Sequence, residues 1–305
     1  MYAQFFGNFL LSRGVVTRGQ LISALEKKSS MHIRLGTLAI HAGYMSAGEV
    51  DEVIIMQTHQ DKRFGELAVQ EGFLTELQVK ELLHSQSPDF LLLGQILVDE
   101  KLITNKELET LINEYESESE IYDLDFNEEK KDIVERLLEK YLYIVGRQLS
   151  ENELSYTTLL FNNLIRFIGE DFTPICPTPC IEYPRNVCIS QKITGSIEVT
   201  LHLDMPETVC LAFASRYVGE DFTEYNEYVQ AAIEDFLNLH NGLFNVNVSN
   251  EKGIELSLEP PVFETDELLT FRQESSLLPI VYPFGTLNFI FEYVSHSLCI
   301  NRTTG

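Results

Sequence analysis

Residues 1–115 repeat one pattern of apolar and polar positions at intervals of 29 residues. In each copy a short apolar stretch precedes a turn, and leucines or isoleucines at helical spacing follow it. A hydroxyl residue with Gln or Glu three positions later, the pattern of a capping box, begins each second helix. These pairs are Thr17/Gln20, Ser46/Glu49, Thr75/Gln78 and Thr104/Glu107. The period predicts four units, each made of a short helix, a turn and a longer capped helix.

Two glycine positions recur within this period. The first is occupied by Gly7, Gly36, Gly65 and Gly94, and the second by Gly14, Gly43 and Gly72. The second position suits the left-handed conformation that closes a helix, and the fourth copy has Lys101 there instead.

The two central copies share polar ends that the outer copies lack. Each begins with an arginine and ends, 23 positions later, with a glutamine: Arg34 with Gln57, and Arg63 with Gln86. The outer copies have other residues there, namely Phe5, Lys28, Leu92 and Tyr115. The outer copies therefore resemble caps on a central pair. From these residues alone, a packing repeat that binds protein is as open as a ligand site.

The second half of the chain has a mixed pattern. Ser150 and Glu153 form a further capping box, and two alternating apolar stretches flank Thr194-Gly195 as in a β-hairpin. The pattern predicts helices over Pro206–Val218 and Tyr225–Phe244 and strands over Ile254–Leu258, Pro279–Tyr282 and Leu287–Tyr293. The predicted fold class is α+β, with all-α helical repeats joined to a domain whose helices pack on a mainly antiparallel sheet.

An acidic stretch separates the two patterns. Half of the residues from Glu114 to Glu129 are acidic, which is typical of a solvated linker, and Asp132–Leu149 has helical spacing. We therefore divide the chain into repeats at 1–115, a linker with a connecting helix at 116–149, and a second domain at 150–305.

Charge and cysteine content exclude several classes of partner. The formal net charge of −25 argues against a nucleic-acid or anionic-membrane surface, since both need clustered Lys and Arg. No signal-peptide pattern and no membrane-length apolar run occurs, so we expect a cytoplasmic protein. The five cysteines are sparse and odd in number, as expected of reduced thiols. Cys176 and Cys180 lack two further ligands at metal-binding spacing, so no metal site is predicted.

The frame of the central copies resembles a known family. Arg-Leu-Gly, a leucine, a second glycine, a hydroxyl residue and a terminal glutamine are similar to the N-terminal domain of MshE-type ATPases of type II secretion and pilus systems. In that family, two 24-residue motifs separated by five residues bind cyclic di-GMP; here the spacer is Thr58 to Lys62. The resemblance implies a ligand site formed by Arg34, Leu35, Gly36, Leu38, Gly43, Gln57, Arg63, Phe64, Gly65, Leu67, Gly72 and Gln86. Phe64 stands where the family has leucine.

A carboxylate and a carboxamide lie together on one predicted helix. Its sequence, AAIEDFLNLHNG, contains an apolar stripe that we expect to comprise Val229, Ala232, Ile233, Phe236, Leu239 and Leu243. Asp235 and Asn238, spaced i and i+3, are then expected on a different, exposed face. On residue type alone, this pair is equally typical of a solvated helix surface.

The surroundings of that pair resemble CheX-type chemotaxis phosphatases. The Gly195-Ser-Ile-Glu strand, Gly219, the Asp-x-x-Asn pair, Gly242 and Pro260-Pro261 carry the resemblance. It implies that Asn238 orients a water against the aspartyl phosphate of a response-regulator receiver, while Asp235 contacts the receiver's lysine. Mg²⁺ would come only from the receiver. Asp235 stands where the family has Glu, Ala231 where related sequences often have Ser or Asp, and Glu234 is an imperfect substitute for that Glu.

Three functions follow from these observations. In the first, a phosphatase of response regulators senses cyclic di-GMP through its central repeats. In the second, a catalytically inactive adaptor binds a receiver and a ligand or partner. In the third, the repeats are a protein-docking platform. The CheX resemblance also suggests a homodimer formed through a sheet edge.

Overall fold

The computed structural model describes residues 5–27, 32–85, 90–123, 150–271 and 275–293. By internal contacts the chain divides into two compact units. The first holds the N-terminal helices together with residues 170–175 and 281–285, and the second holds most of the region after residue 142.

The first unit consists of short and long helices in alternation over its described N-terminal part. They are α1 (Phe6–Ser12), α2 (Arg18–Lys27), α3 (Leu35–His41), α4 (Ala47–Gln57), α5 (Phe64–Gln70), α6 (Glu76–His84), α7 (Phe90–Asp99) and α8 (Asn105–Asp123). The predicted order of a short helix, a turn and a capped helix is therefore present at each of the four positions.

All four predicted capping boxes are formed. At α4, the Ser46 N–H donates to Glu49 Oε2 at 2.7 Å, and the Glu49 N–H donates to Ser46 Oγ at 3.4 Å. The same reciprocal bonds begin α2, α6 and α8. Each satisfies N–H groups that the first turn of a helix leaves without partners. At α4 and α8 the bonds also lower the pKa of the capping glutamates, Glu49 and Glu107.

The two recurring glycines have different physical reasons. At the first position, a Cβ on Gly36 would lie 2.9 Å from Val50 Cγ1, and one on Gly94 would lie 2.5 Å from Leu108 Cδ1. Because these distances are too short for a real Cβ, glycine allows the short helix to pack closely on the longer one.

At the second position, the backbone is left-handed, as predicted. Gly14, Gly43 and Gly72 have φ of 68°, 67° and 79°. Lys101 has φ of 60°, and it is the only non-glycine residue with a positive φ in the described segments. The fourth turn thus keeps the conformation although it lacks the glycine.

Aromatic rings fill the core between the outer helices of the first unit. Phe6 lies 5.0 Å from Phe90 and 5.1 Å from Tyr115 between ring centroids, and Phe9 lies 5.3 Å from Tyr115. Of these rings, Tyr115 occupies the position at which the central copies have glutamine.

The first part of the acidic stretch is helical. Helix α8 continues to Asp123, and two of its glutamates have partners. Glu114 forms an ion pair with Arg13 at 2.9 Å, and Glu116 Oε1 lies 2.8 Å from His41 Nε2. Arg13, directly after α1, and His41, in α3, thus hold residues that composition alone assigns to solvent. Residues 124–149, including the predicted helix Asp132–Leu149, lie outside the described residues.

The second unit combines helices with an antiparallel sheet, which confirms the predicted fold class. Its helices are α9 (Glu151–Phe167), α10 (Glu207–Val218) and α11 (Glu227–Lys252). The strands of the chain are β1 (Thr173–Pro174), β2 (Thr178–Pro179), β3 (Glu182–Pro184), β4 (Val187–Thr194), β5 (Val199–Met205), β6 (Ser257–Leu258), β7 (Val262–Phe263), β8 (Leu268–Thr270), β9 (Ser276–Tyr282) and β10 (Gly285–Tyr293). The central order is β9-β10-β5-β4-β6; β2 pairs with β9, β7 pairs with β4, and β3 pairs with β8.

The predicted hairpin is the centre of this sheet. Strands β4 and β5 pair antiparallel from Val187 opposite Met205 to Ile193 opposite Val199, and Gly195 in their connection has φ of 135°. Strand β10 then pairs with the other side of β5. Because β4 is central, its side chains are available to the helix that packs over it, which is α11.

Helix α11 is longer than predicted, and the strand after it is shorter. It ends at Lys252 rather than at Phe244, because Phe244 and Val248 are buried and continue its apolar spacing. Gly253, with φ of 65°, then closes the helix. Only Ser257–Leu258 of the predicted strand Ile254–Leu258 is extended and paired.

The left-handed turn can be tested with a matched pair of alanine substitutions. Gly43→Ala should destabilise the protein by about 1–2 kcal/mol, because a Cβ is strained in the left-handed conformation. Gly48→Ala should instead stabilise it by about 0.5–1 kcal/mol, because Gly48 is an exposed residue within α4 and open space surrounds its Cα. Urea unfolding followed by far-UV circular dichroism measures both. Effects of equal sign would contradict the assignment.

Buried histidines in the second unit should make stability depend on pH. Burial lowers the pKa of His240 to about 3 and that of His202 to about 4, from an ordinary 6.5. Between pH 6.5 and these values the unfolded chain binds more protons than the folded one, so stability falls as pH falls. The slope is at most about 1.4 kcal/mol per pH unit for each histidine. Urea unfolding at pH 7, 6 and 5 should show a shallower dependence for His240→Phe than for the wild type; identical slopes would refute the explanation.

Candidate functional site

The predicted acid and amide lie on the exposed face of α11. Asp235 and Asn238 are both exposed, one helical turn apart. The Tyr217 hydroxyl, from α10, donates a hydrogen bond of 2.6 Å to Asp235 Oδ2. Burial, followed by the bond to this carboxylate, raises the pKa of Tyr217, so the phenol keeps its proton. One carboxylate oxygen is therefore held from the neighbouring helix.

The carboxamide of Asn238 is held from below by the sheet. Gln191, in β4, donates from Nε2 to Asn238 Oδ1 at 2.9 Å. The same Nε2 donates to the backbone oxygen of Glu259 at 2.9 Å, and Gln191 Oε1 accepts from Asn241 Nδ2 at 2.8 Å. Gln191 is only 2% exposed. An exposed amide is thus attached to a buried one.

The chain of amides continues into the core. Asn241, which is fully buried, accepts a hydrogen bond from the Tyr156 hydroxyl of α9. Four side chains are therefore linked in series: Tyr156, Asn241, Gln191 and Asn238. We call this series the amide relay. It connects α9, α11 and β4.

The buried face of α11 differs in part from the predicted apolar stripe. Val229, Ala232, Ile233 and Phe236 are buried as predicted. Leu243 is 38% exposed and Leu239 is half-buried, whereas Leu237, His240 and Asn241 are buried. Hydropathy does not place His240 and Asn241 inside. They are buried because Asn163 and Gln191 provide hydrogen-bond partners from facing elements.

Two further residues near the pair, Ala231 and Glu234, differ in exposure. Ala231 is exposed, and Glu234 is half-buried on the turn before Asn238.

In the first unit, several of the predicted ligand residues line one cavity of about 370 Å³. They are Arg34, Leu35, Gly36, Gln57 and Phe64. Residues absent from the prediction complete its wall: Thr37, Val50, Ile54, Gln95, Val98, Asp99 and Asn105. The fourth copy thus contributes to a cavity that the sequence assigns to the central pair.

The charge of Arg34 is neutralised within this cavity. Its guanidinium Nη1 lies 2.6 Å from Asp99 Oδ1, although the Arg34 side chain is 64% exposed. The second oxygen, Asp99 Oδ2, is buried without a hydrogen-bond partner among the described residues. The Arg34 backbone N–H also donates to Gln95 Oε1. Asp99 could not be found from the repeat frame, because it belongs to a copy that lacks the terminal arginine and glutamine.

A second cavity, of about 660 Å³, lies around Arg63. Leu35, Phe64, Gly65 and Lys80 also line it. Leu35 and Phe64 line both cavities, so the two arginines lie on either side of a shared apolar wall.

Four other predicted ligand residues that the structure describes line neither cavity. Leu38 and Leu67 are buried in the helix packing, Gly43 and Gly72 lie in the left-handed turns, and Gln86 falls outside the described residues. Within the described chain no cluster of His, Cys, Asp and Glu could hold a metal ion, and Cys180, Cys188 and Cys210 are free thiols. No helix in the same part of the chain is long and apolar enough to cross a membrane.

A comparison with protein families identifies the domain that carries Asp235 and Asn238. The family model described as chemotaxis phosphatase CheX matches residues 187–285. This region is a CheX domain. It includes Gln191, Asn241 and Glu259 of the amide relay and its contacts, whereas Tyr156 precedes it.

Several solved structures are similar to this half of the chain. A CheX from Desulfovibrio desulfuricans is 16% identical over 48% of this chain and 100% of its own, with a TM-score of 0.41. A complex of CheX with CheY, BeF3 and Mg²⁺ from Borrelia burgdorferi is 18% identical over 45% and 92%, with a TM-score of 0.37. FliY from Thermotoga maritima is 16% identical over 45% and 82%, with a TM-score of 0.31. No curated protein sequence matches the chain.

Proposed function

We propose that this protein is a signalling protein whose CheX domain docks on a response-regulator receiver and hydrolyses its aspartyl phosphate. The observation that carries the proposal is the Asn238 amide, which is exposed on the same helix as Asp235. The buried amide of Gln191 fixes its orientation. The receiver is taken as the partner because the matched family is one of chemotaxis phosphatases.

The chemistry requires little from the phosphatase itself. A water oxygen attacks phosphorus, the bond between phosphorus and the receiver's aspartate oxygen breaks, and the carboxylate leaves with the electron pair. The proton of the water passes to the phosphate that is released. A receiver supplies its own Mg²⁺ and lysine, so the missing component is a water held in line, and the Asn238 amide can hold it.

Asp235 is proposed to contact the receiver's lysine. It is one methylene shorter than the glutamate of the family, but Tyr217 holds only Oδ2. Asp235 Oδ1 has no hydrogen-bond partner among the described residues, so it can accept a hydrogen bond from an ammonium group. The hydroxyl of Tyr217 fixes the direction in which that oxygen is presented.

Removing the amide should abolish the activity. Asn238→Ala should slow dephosphorylation of a phosphorylated CheY receiver by about 100-fold or more, since a misplaced reactant costs about that factor. The decay of acetyl-phosphate-labelled receiver, with and without the protein, measures it. Asn247 is an exposed asparagine on the same helix, so Asn247→Ala is the matched control. It should leave both the dephosphorylation rate and receiver binding unchanged.

The catalytically inactive adaptor makes the opposite prediction. In that case the wild-type protein binds the receiver and leaves its phosphate lifetime unchanged. An unchanged lifetime with measurable binding would replace the phosphatase by the adaptor.

We further propose that the N-terminal half is an MshE-type tandem repeat that binds cyclic di-GMP, and that this binding changes the activity of the CheX domain. The proposal is supported by two neighbouring cavities, each with an arginine, on either side of a wall formed by Leu35 and Phe64. Arginine pairs well with phosphate oxygens and with guanine edges, and the apolar wall offers a surface for a base. On the Arg63 side, the cavity is lined by a second cation, Lys80, and by two carboxylates, Glu66 and Glu76.

Substitutions at the ion pair should change the affinity in opposite directions. Arg34→Ala should weaken cyclic di-GMP binding by about 10-fold or more, because charge-assisted hydrogen bonds are lost. Asp99→Asn should strengthen it by about three- to fivefold, because a partly exposed ion pair contributes about 1 kcal/mol and the guanidinium is released. Calorimetric titration with cyclic di-GMP measures both.

Controls separate this site from general charge effects. Cyclic di-AMP and GTP test selectivity, and Lys27→Ala removes an exposed cation outside both cavities. An absence of wild-type binding would leave the repeats as a protein-docking surface. A dephosphorylation rate that cyclic di-GMP does not alter would refute the coupling.

A further inference from the structure

We infer that Gln191 is a positioning residue for the phosphatase reaction, because it sets the orientation of the Asn238 amide. The inference rests on the proposed phosphatase function. Gln191 does not reach the surface; it acts through Asn238, whose Oδ1 it holds.

The Gln191 amide has one allowed orientation. Its two N–H groups donate to Asn238 Oδ1 and to the Glu259 carbonyl, and its oxygen accepts from Asn241 Nδ2. Rotation of this amide by half a turn would place its oxygen against two acceptors and its N–H groups against a donor. The three bonds therefore exclude the flipped state.

Both anchors of Gln191 are themselves fixed. The Glu259 backbone N–H donates to the Lys192 carbonyl of β4 at 2.9 Å, so the accepting carbonyl is tied to the strand that carries Gln191. Asn241 is fixed by the Tyr156 hydroxyl, which donates to its Oδ1. The orientation is thus transmitted from the core to Gln191.

The consequence for Asn238 is a defined presentation of its polar atoms. Gln191 occupies one lone pair of Oδ1, which directs this oxygen towards the sheet. Nδ2 has no hydrogen-bond partner among the described residues. The Nδ2 donor and the second lone pair of Oδ1 are then the groups available to a water. An exposed asparagine without such an anchor would rotate between two amide orientations, and only one would place the water in line.

The position of Gln191 supports a functional reading. It lies in a central strand where an apolar side chain would fill the same space without needing partners. Instead, the buried Gln191 amide donates one of its N–H groups to the exposed Asn238 side chain. A polar group in this place costs stability unless all its bonds are formed, and one of those bonds depends on Asn238.

The test is a kinetic double-mutant cycle on the full-length protein. Gln191→Met keeps the length of the side chain and removes all its hydrogen bonds, and Gln191→Glu keeps the shape and replaces the donor. Each is measured alone and combined with Asn238→Ala, by dephosphorylation of CheY at increasing receiver concentration. Thermal unfolding of each variant is recorded.

We expect kcat to fall by about 10- to 100-fold in both Gln191 variants, with KM for the receiver unchanged, because Gln191 lies below the surface. In the Asn238→Ala background, Gln191→Met should cause no further loss, since both substitutions remove the same oriented amide. Asn163→Leu is the control. It removes another buried amide of the same unit, which contacts His240 but not Asn238, and it should lower stability without changing kcat.

Three results would overturn the inference. They are a wild-type kcat in the folded Gln191 variants, a loss that appears in KM instead of kcat, and a loss that multiplies with that of Asn238→Ala. A wild-type protein that does not dephosphorylate the receiver would instead overturn the proposed function, and the inference with it.

Discussion

The burial of amide groups between α11 and the sheet is the constraint on which the second unit depends. A carboxamide removed from water costs free energy unless its donors and acceptors are paired. Asn241 and Gln191 meet this requirement only when α9, α11 and β4 hold one relative position, because Tyr156, Asn241 and Gln191 come from those three elements. The bonds that satisfy the core therefore also fix the register of the helix that carries Asp235 and Asn238.

In the first unit, the corresponding constraint is the close approach of helices. Glycine at the first recurring position lets a short helix contact the longer one, as the distance between a Gly36 Cβ and Val50 indicates. Arg34 and Asp99 are far apart in the sequence, but in the packed helices Arg34 Nη1 lies 2.6 Å from Asp99 Oδ1. In a chain with a net charge of −25, an arginine is readily paired by its own protein. An anionic ligand must therefore compete with Asp99 for this guanidinium.

The sequence predicts well those features that are encoded by neighbouring residues. Capping boxes need a hydroxyl and a Gln or Glu three positions apart, and left-handed turns favour glycine, so both could be located to the residue. The β4–β5 hairpin was likewise placed by its alternation and by Gly195. The exposed position of Asp235 and Asn238 followed from helical spacing. These are local rules, and they hold here because the tertiary structure does not oppose them.

Features that depend on distant partners could not be predicted in the same way. Gln191 is polar within an apolar strand, and only the amides of α11 and the Glu259 carbonyl explain its burial. The apolar stripe of α11 was wrong at Leu243 for the same reason, since the buried face includes polar residues that have partners. The first part of the acidic stretch belongs to α8, where Arg13 and His41 contact its glutamates. Amino-acid composition gives the charge of a residue but does not identify its partner in the tertiary structure.

The replacement of glutamate by Asp235 can be understood from the contacts of the pair. A shorter side chain keeps its carboxylate near the helix, where the Tyr217 hydroxyl from α10 can reach Oδ2. Asn238 is held in the same way by Gln191 from β4. Both side chains of the proposed site therefore have one polar atom bound by the scaffold and one without a partner among the described residues. Two short side chains with anchored orientations lose less conformational entropy on docking than two free ones. Under the proposed function, a pair that is oriented before the receiver binds would compensate for the shorter reach of Asp235.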